Sequence, residues 1–259
     1  NPYEVFARDI LRLEPMPALS GEPDERLRGI VIHEALKRFG RAYPETLPED
    51  IAGTLAELLA DVLGGLQPHP RIQALWRPRF QRFAQWFAAS EPARRQGIAR
   101  VATEVSGALT FAAPAGPFRL SARADRIDGS LLITDYKSGV VPRQKDVETG
   151  WSPQLPLEAA IALEGGFEGV GQGTIAGLRY IQAGGGDPPG EETPIKSADP
   201  ARLAASALAG LSRLVTLYDQ PETAYRALRR PGLDLDALEL VELALVRDLL
   251  AAPDLPEDL

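Results

Sequence analysis

Cysteine is absent from the chain. That excludes a disulfide framework, a zinc–thiolate site and an iron–sulfur cluster held by this polypeptide. Histidine is scarce, with only His33 and His69, so any imidazole-based site has two candidates. His69, between Pro68 and Pro70, reads as a loop residue. Aromatic residues make up a low 7% of the 259 positions. No run of about 18 apolar residues occurs, so neither a membrane span nor a membrane partner is expected. No basic-then-apolar leader opens the chain, and the cytoplasm is the expected compartment. The start at Asn1-Pro2-Tyr3 rather than Met points to a piece of a longer polypeptide. Gly184-Gly185-Gly186 lacks the Lys-Ser/Thr that would make it a phosphate-binding loop.

What is present is ordinary globular composition: 44% hydrophobic and 25% charged residues, enough to bury one sizeable core. The expectation is a single domain over 1–259. Its core spans about 24–182, with a segment 1–23 packed on it and C-terminal helices and an acidic tail over 197–259. The net charge of −8 argues at first against a nucleic-acid partner. The charge is uneven, however. Over 231–259 eight acids face Arg247 alone. Over 71–100 seven arginines (Arg71, Arg77, Arg79, Arg82, Arg94, Arg95, Arg100) face only Glu91. That strip is either a phosphate-holding surface or a solvated helix face.

Hydrophobic spacing predicts helices over 24–39, 51–63 and 72–89, the last with a kink or restart at Pro78. Extended segments follow at 101–111, 118–127 and 131–137, then a helix at 154–163 and a strand at 174–182. Residues 183–193 read as a mobile Gly/Pro-rich loop, and helices are expected near 201–218 and 235–250. Trp76, Phe80, Phe83, Trp86 and Phe87 recur at helical spacing and are expected in the core. The fold class is therefore α/β: a small mixed sheet flanked by helices.

Chemistry concentrates in Arg123-Ala124-Asp125-Arg126-Ile127-Asp128 and Thr134-Asp135-Tyr136-Lys137-Ser138-Gly139. Side chains alternate along a strand, so Asp135 and Lys137 share a face that Thr134 and Tyr136 do not. Asp125 joins them only if the connecting loop has an odd number of residues. A loop of 128–130 would pair Ile127 with Leu131 and leave Asp125 diagonal to Asp135. Two carboxylates beside a lysine resist desolvation unless something neutralises them. A hard divalent cation such as magnesium or manganese does so. Without one, the same triplet reads as a surface ion pair.

Asp125…Asp135-Tyr136-Lys137 resembles the PD-(D/E)XK nuclease signature, in its RecB-type branch. The segment 29–36 (GIVIHEAL) is similar to that branch's helical histidine motif, and 152–159 (SPQLPLEA) to its glutamine motif. The opening 1–13 (NPYEVFARDILRL) also fits, and together the motifs look most like the C-terminal nuclease domains of AddB-type subunits. The resemblance covers roughly 1–182. It implies a restriction-endonuclease-like core and a magnesium- or manganese-dependent deoxyribonuclease, acting as an exonuclease in a complete complex. DNA and an AddA-like helicase–nuclease subunit would be its partners, in double-strand break repair. It implies His33, Asp125, Asp135 and the Tyr136 carbonyl as metal ligands and Lys137 as the catalytic lysine. Glu104 would assist around the metal or its water, and Gln154 would place Lys137 or the phosphate. Two positions depart from the family pattern. Asn1 stands where relatives that hold an iron–sulfur cluster have their first cysteine, and Glu158 stands where a tyrosine is common. Two other readings compete: a nuclease-fold scaffold or DNA-binding module docked to a helicase subunit, and a hydrolase of some other phosphoester.

Overall fold

The computed structural model describes residues 3, 6–13, 25–66, 70–197 and 199–225. Among the expectations above, His69, the helix at 235–250 and the acidic tail lie outside these residues, as does part of the opening motif.

A short π-helical turn, Phe6–Ile10, precedes three helices, α1 (Glu25–Ala42), α2 (Ile51–Gly65) and α3 (Pro70–Arg94). Asp50 starts α2 by accepting the Gly53 amide at 2.8 Å, which satisfies one of the open donors of the first turn. α3 runs unbroken through Pro78, so no restart occurs there. The flanking turns bury Trp76, Phe80, Phe83 and Phe87, at roughly 1.5–3 kcal/mol for each large apolar side chain. That burial outweighs the hydrogen bond a proline forfeits.

The sheet follows: β1 (Val101–Ala113), β2 (Gly116–Asp128) and β3 (Leu132–Lys137), then two helices, α4 (Gln144–Glu148) and α5 (Gln154–Leu163). β4 (Gly177–Gln182), β5 (Glu191–Pro194) and α6 (Pro200–Tyr218) complete it. The strand order is β1-β2-β3-β4-β5. All neighbouring pairs are antiparallel except β3 with β4, which is parallel. That one crossover requires the helical connection through α4 and α5. The fold is thus mixed α/β, as the composition of elements predicted. The segment 183–193, read as a loop, contributes the first residues of the edge strand β5. Its backbone pairs with β4 despite few apolar side chains.

Two hydrophobic clusters flank the sheet. One joins Ile133, Leu178 and Tyr180 to α5 and α6 through Leu155, Ile161, Leu211 and Leu214. The other joins Tyr136 and Ile181 to α1, α2 and α3 through Phe39, Leu55, Phe83 and Phe87.

Between the sheet and α3 lies a buried ionic network. Glu91, fully buried, accepts Arg126 at 2.7 and 2.9 Å, Arg95 at 2.7 Å and Arg94 at 3.0 Å. Asp128 accepts Arg126 at 2.6 Å and Arg179 at 3.2 Å. Glu192 on β5 closes the circuit with Arg94 at 2.9 Å and Arg179 at 2.8 Å. Burial alone would raise the Glu91 pKa, but Arg126, Arg95 and Arg94 hold it below the usual carboxylate value. The arginine strip over 71–100 is reduced accordingly, while Arg71, Arg77 and Arg100 remain exposed. Arg94 and Arg95 are spent inside the protein, and Arg82 donates to the Gly185 carbonyl at 2.7 Å.

Candidate active site

The β2–β3 connection is a three-residue loop, Gly129-Ser130-Leu131, with Asp128 paired to Leu132 and Ile127 to Ile133. The odd length expected from alternation is present. The register is corrected by two residues: Leu131, at φ 56°, belongs to the turn. The same ladder, carried one step past Arg126↔Thr134, sets Asp125 directly across from Asp135. The ladder between β1 and β2 pairs Thr103 with Arg126 and Val105 with Ala124, which puts Glu104 level with Asp125. Three carboxylates therefore stand in one row across three adjacent strands. Tyr180, paired with Asp135 in the parallel ladder, extends the row onto β4.

Glu104 is held at φ 51°, in the left-handed region that non-glycine residues enter at a cost of roughly 1–2 kcal/mol. The twist carries its carboxylate toward α1. There one ligating atom from each of His33, Glu104 and Asp125 lies within 4.8 Å of the other two. His33 Nδ1 is 3.3 Å from Asp125 Oδ1, and Asp125 Oδ2 accepts the Tyr136 amide at 2.8 Å. α1 reaches the sheet this closely because of two glycines. A Cβ on Gly40 would sit 2.3 Å from Thr103 Cγ2, and one on Gly29 would sit 2.9 Å from Ser138 Oγ.

Asp135 stands slightly apart, drawn toward α5. Its Oδ1 accepts Gln154 Nε2 at 2.6 Å, and its Oδ2 lies 2.9 Å from Lys137 Nζ. Lys137 donates to Gln154 Oε1 at 2.9 Å, so Gln154, the first residue of α5, bridges lysine and aspartate. Lys137 Nζ also sits 5.7 Å from the Tyr180 ring centre. All seven residues singled out from sequence thus fall in one neighbourhood. Tyr136 differs in that its side chain points away, its hydroxyl 3.5 Å from Arg126, and only its backbone meets the site.

Glu158 was missed as a site residue. It is 2% exposed, one turn after Gln154 on the same face of α5, and accepts Gln154 Nε2 at 3.1 Å. The signal was there: a lone acid in the apolar run 155–163, four residues after a glutamine. Tyr180, one aromatic residue in the strand GLRYIQ, gave no signal.

The electrostatics are those of crowded carboxylates. Burial, with Asp125 adding repulsion against the pull of Lys137, raises the Asp135 pKa to about 6. Burial and the Asp135 charge raise Glu158 to about 8, and burial with Asp125 raises Glu104. For His33 burial works downward, but the hydrogen bond and charge of Asp125 outweigh it and its pKa is raised. Glu158 Oε2 and the Tyr180 hydroxyl are buried without hydrogen-bond partners, and Asp135 Oδ2 has only its ion pair with Lys137. Oxygen-rich donors, one imidazole, mutual repulsion and an orphaned carboxylate oxygen together fit a hard divalent cation.

The description "PD-(D/E)XK nuclease superfamily" belongs to a family model that matches residues 1–242. The chain belongs to this superfamily. Asp125 and Asp135-Tyr136-Lys137, which resemble the signature of that superfamily, sit on two adjacent antiparallel strands. Similar proteins include an uncharacterized protein of Rickettsia bellii, 28% identical over 171 residues, 64% of this chain and 21% of that protein. Another, from Rickettsia felis, is 29% identical over 195 residues, 71% of this chain and 23% of that protein. The chain spans about a fifth of the length of these relatives.

Proposed function

We propose that this chain is a magnesium- or manganese-dependent nuclease domain that hydrolyses phosphodiester bonds in DNA. One observation carries the reading: Glu104, Asp125 and Asp135, level on three neighbouring strands, meet His33 on one side and the Lys137–Gln154 pair on the other. A surface ion pair needs no such convergence.

His33, Glu104, Asp125 and Asp135 would hold the cation, which supplies Lewis acidity toward a phosphate oxygen and lowers the pKa of water. Lys137 holds a fixed positive charge where negative charge accumulates on the phosphoryl group. Gln154 keeps that ammonium in place by accepting from it while donating to Asp135. Glu158 fixes the Gln154 amide so that its carbonyl oxygen faces Lys137. The buried Tyr180 ring beside the lysine keeps bulk water from that side.

The motif order supports a finer placement: an AddB-type nuclease domain, paired with an AddA-like helicase–nuclease subunit and processing DNA ends as an exonuclease during break repair. The small share of each relative that the chain spans agrees with a nuclease domain borne on a larger protein.

The test is cleavage of labelled single- and double-stranded DNA by the 259-residue chain with magnesium or manganese. Expected are cation-dependent products, arrest by a chelator, and a loss of at least about 100-fold in Asp125→Asn and Lys137→Ala. If both DNA forms stay intact while the cation still raises the melting temperature, the nuclease reading fails and a docked scaffold replaces it. Faster hydrolysis of a small phosphodiester than of DNA would move the activity to another substrate.

A further inference from the structure

Beside the acid row, the outer surface of the β1–β2 hairpin forms an open groove of about 700 Å³. Its lining includes Ser106, Ala108, Arg119, Ser121, Arg123 and Glu168. Arg119, Ser121, Arg123 and Asp125 are successive alternate residues of β2, so they point to one side of it. Ser106 and Ala108 lie across from Arg123 and Ser121 on β1 and floor the same groove. At about 3.3 Å per residue, Arg123 stands roughly 7 Å from the Asp125 position and Arg119 roughly 20 Å from it. β2 therefore leads from the groove toward the candidate active site. Contact is direct at the near end, where Arg123 Nη1 is 3.9 Å from Glu104 Oε2.

The chemistry of the groove differs from that of the chain around it. The protein carries 36 acids in 259 residues, yet the segment 105–124 has none and carries two arginines. Arg119 and Ser121 are exposed, and Arg123 is 67% exposed. Arg119 makes no ion pair or hydrogen bond among the described residues. The floor is alanine, glycine and serine, low enough for a sugar–phosphate backbone to approach, with hydroxyls at Ser106 and Ser121 able to donate to phosphate oxygens. In the buried network the arginines each face carboxylates. Here Glu168 is the one acid among the lining residues, with Glu104 and Asp125 at the near end.

We infer that this groove is a track for one nucleic-acid strand leading away from the scissile position, with Arg123 and Arg119 each holding a backbone phosphate. The inference rests on the nuclease reading, because that reading puts a phosphodiester at the groove's mouth. It adds the course of the strand and the residues that grip it. A floor without aromatic or long polar side chains offers bases neither stacking nor edge contacts. The grip is therefore independent of base sequence.

The test is fluorescence anisotropy of a labelled 15-nucleotide oligothymidylate with the 259-residue chain in EDTA, titrated over potassium chloride. Arg119→Ala and Arg123→Ala are each expected to weaken binding several-fold. Each should also flatten the plot of log affinity against log salt by about 0.7, the value for one phosphate contact on a single strand. Arg213→Ala, an exposed arginine of α6 outside the groove, is expected to change neither. Unchanged affinity and salt slope in the Arg119→Ala/Arg123→Ala double variant would overturn the inference. So would displacement of the oligonucleotide by polyglutamate at equal charge concentration, which would assign the groove to an acidic protein partner. The two readings fail separately. Arginine-dependent binding without cleavage in magnesium or manganese sinks the nuclease and leaves the track. Cleavage with an unchanged salt slope does the reverse.

Discussion

Replacing Glu158 with glutamine isolates the electrostatic strain of the site. The side chain is 2% exposed and one oxygen has no partner, so the carboxyl group is favoured neutral. Its pKa rises from an ordinary 4.5 to about 8 on folding. The folded protein therefore holds a proton that the unfolded chain releases from about pH 4.5 upward. Stability is lost as pH rises through this interval, at up to about 1.4 kcal/mol per pH unit. Between pH 5 and 8 the ceiling is about 4 kcal/mol, and relaxation of neighbouring groups leaves an expected effect of at least about 2 kcal/mol. Glu158→Gln keeps the volume and an oxygen for Gln154 Nε2 but removes the titration. Urea unfolding in EDTA, followed by tryptophan fluorescence, is expected to show the variant gaining on the wild type by that amount between pH 5 and pH 8. Cleavage at pH 7 should persist in Glu158→Gln and fall roughly 5-fold in Glu158→Ala, where a hydrogen bond worth about 1 kcal/mol no longer orients Gln154. A stability difference constant to within about 0.5 kcal/mol across that pH range would refute the reasoning.

Asp135→Asn should abolish cleavage while leaving the cation-free chain at least as stable as wild type at pH 8. It removes a carboxylate whose pKa is pushed up to about 6, and differential scanning calorimetry reads this directly. Glu91→Gln should destabilise by about 3–5 kcal/mol, because it takes the buried negative charge from Arg94, Arg95 and Arg126 at once and leaves Arg126 with Asp128 alone; chemical denaturation checks it. Gly40→Ala drives a methyl group against Thr103 and should cost about 1–3 kcal/mol. It should also weaken cation binding by lifting His33 off the sheet, measurable by isothermal titration with manganese.

The strand pairing that carries the site was readable because alternation constrains it. Asp135 and Lys137 had to share a face, and only an odd loop could bring Asp125 to them. That loop lies one residue later than expected, which shifts the pairing register by two. Nothing local distinguishes Leu131 in a left-handed turn from Leu131 opening a strand, until Leu132 is seen paired with Asp128. The buried network escaped sequence reading for a different reason. Arg126, Asp128 and Arg179 look like solvent-facing strand charges, and Arg94 and Arg95 like a basic surface. Arg94 and Arg95 meet Glu91 within one helical turn and Arg126 meets Asp128 two residues on, but the contacts that bury them, Arg126 with Glu91, Arg179 with Asp128 and Arg94 with Glu192, span 35, 51 and 98 positions, beyond the reach of any periodicity. Glu158 and Tyr180 were hidden likewise: their importance comes from Asp135 and Gln154 as neighbours, not from a pattern of their own.

The acids of the site sit on neighbouring strands, one from each, rather than on a single flexible segment. Slipping either ladder by two residues would keep every apolar side chain on its proper side and still scatter Glu104, Asp125 and Asp135 along some 7 Å of sheet. Such a mispaired molecule would be packed yet chemically inert. Any demand that the site function is thus also a demand for correct pairing of β1, β2 and β3, and activity doubles as a proofreader of the fold.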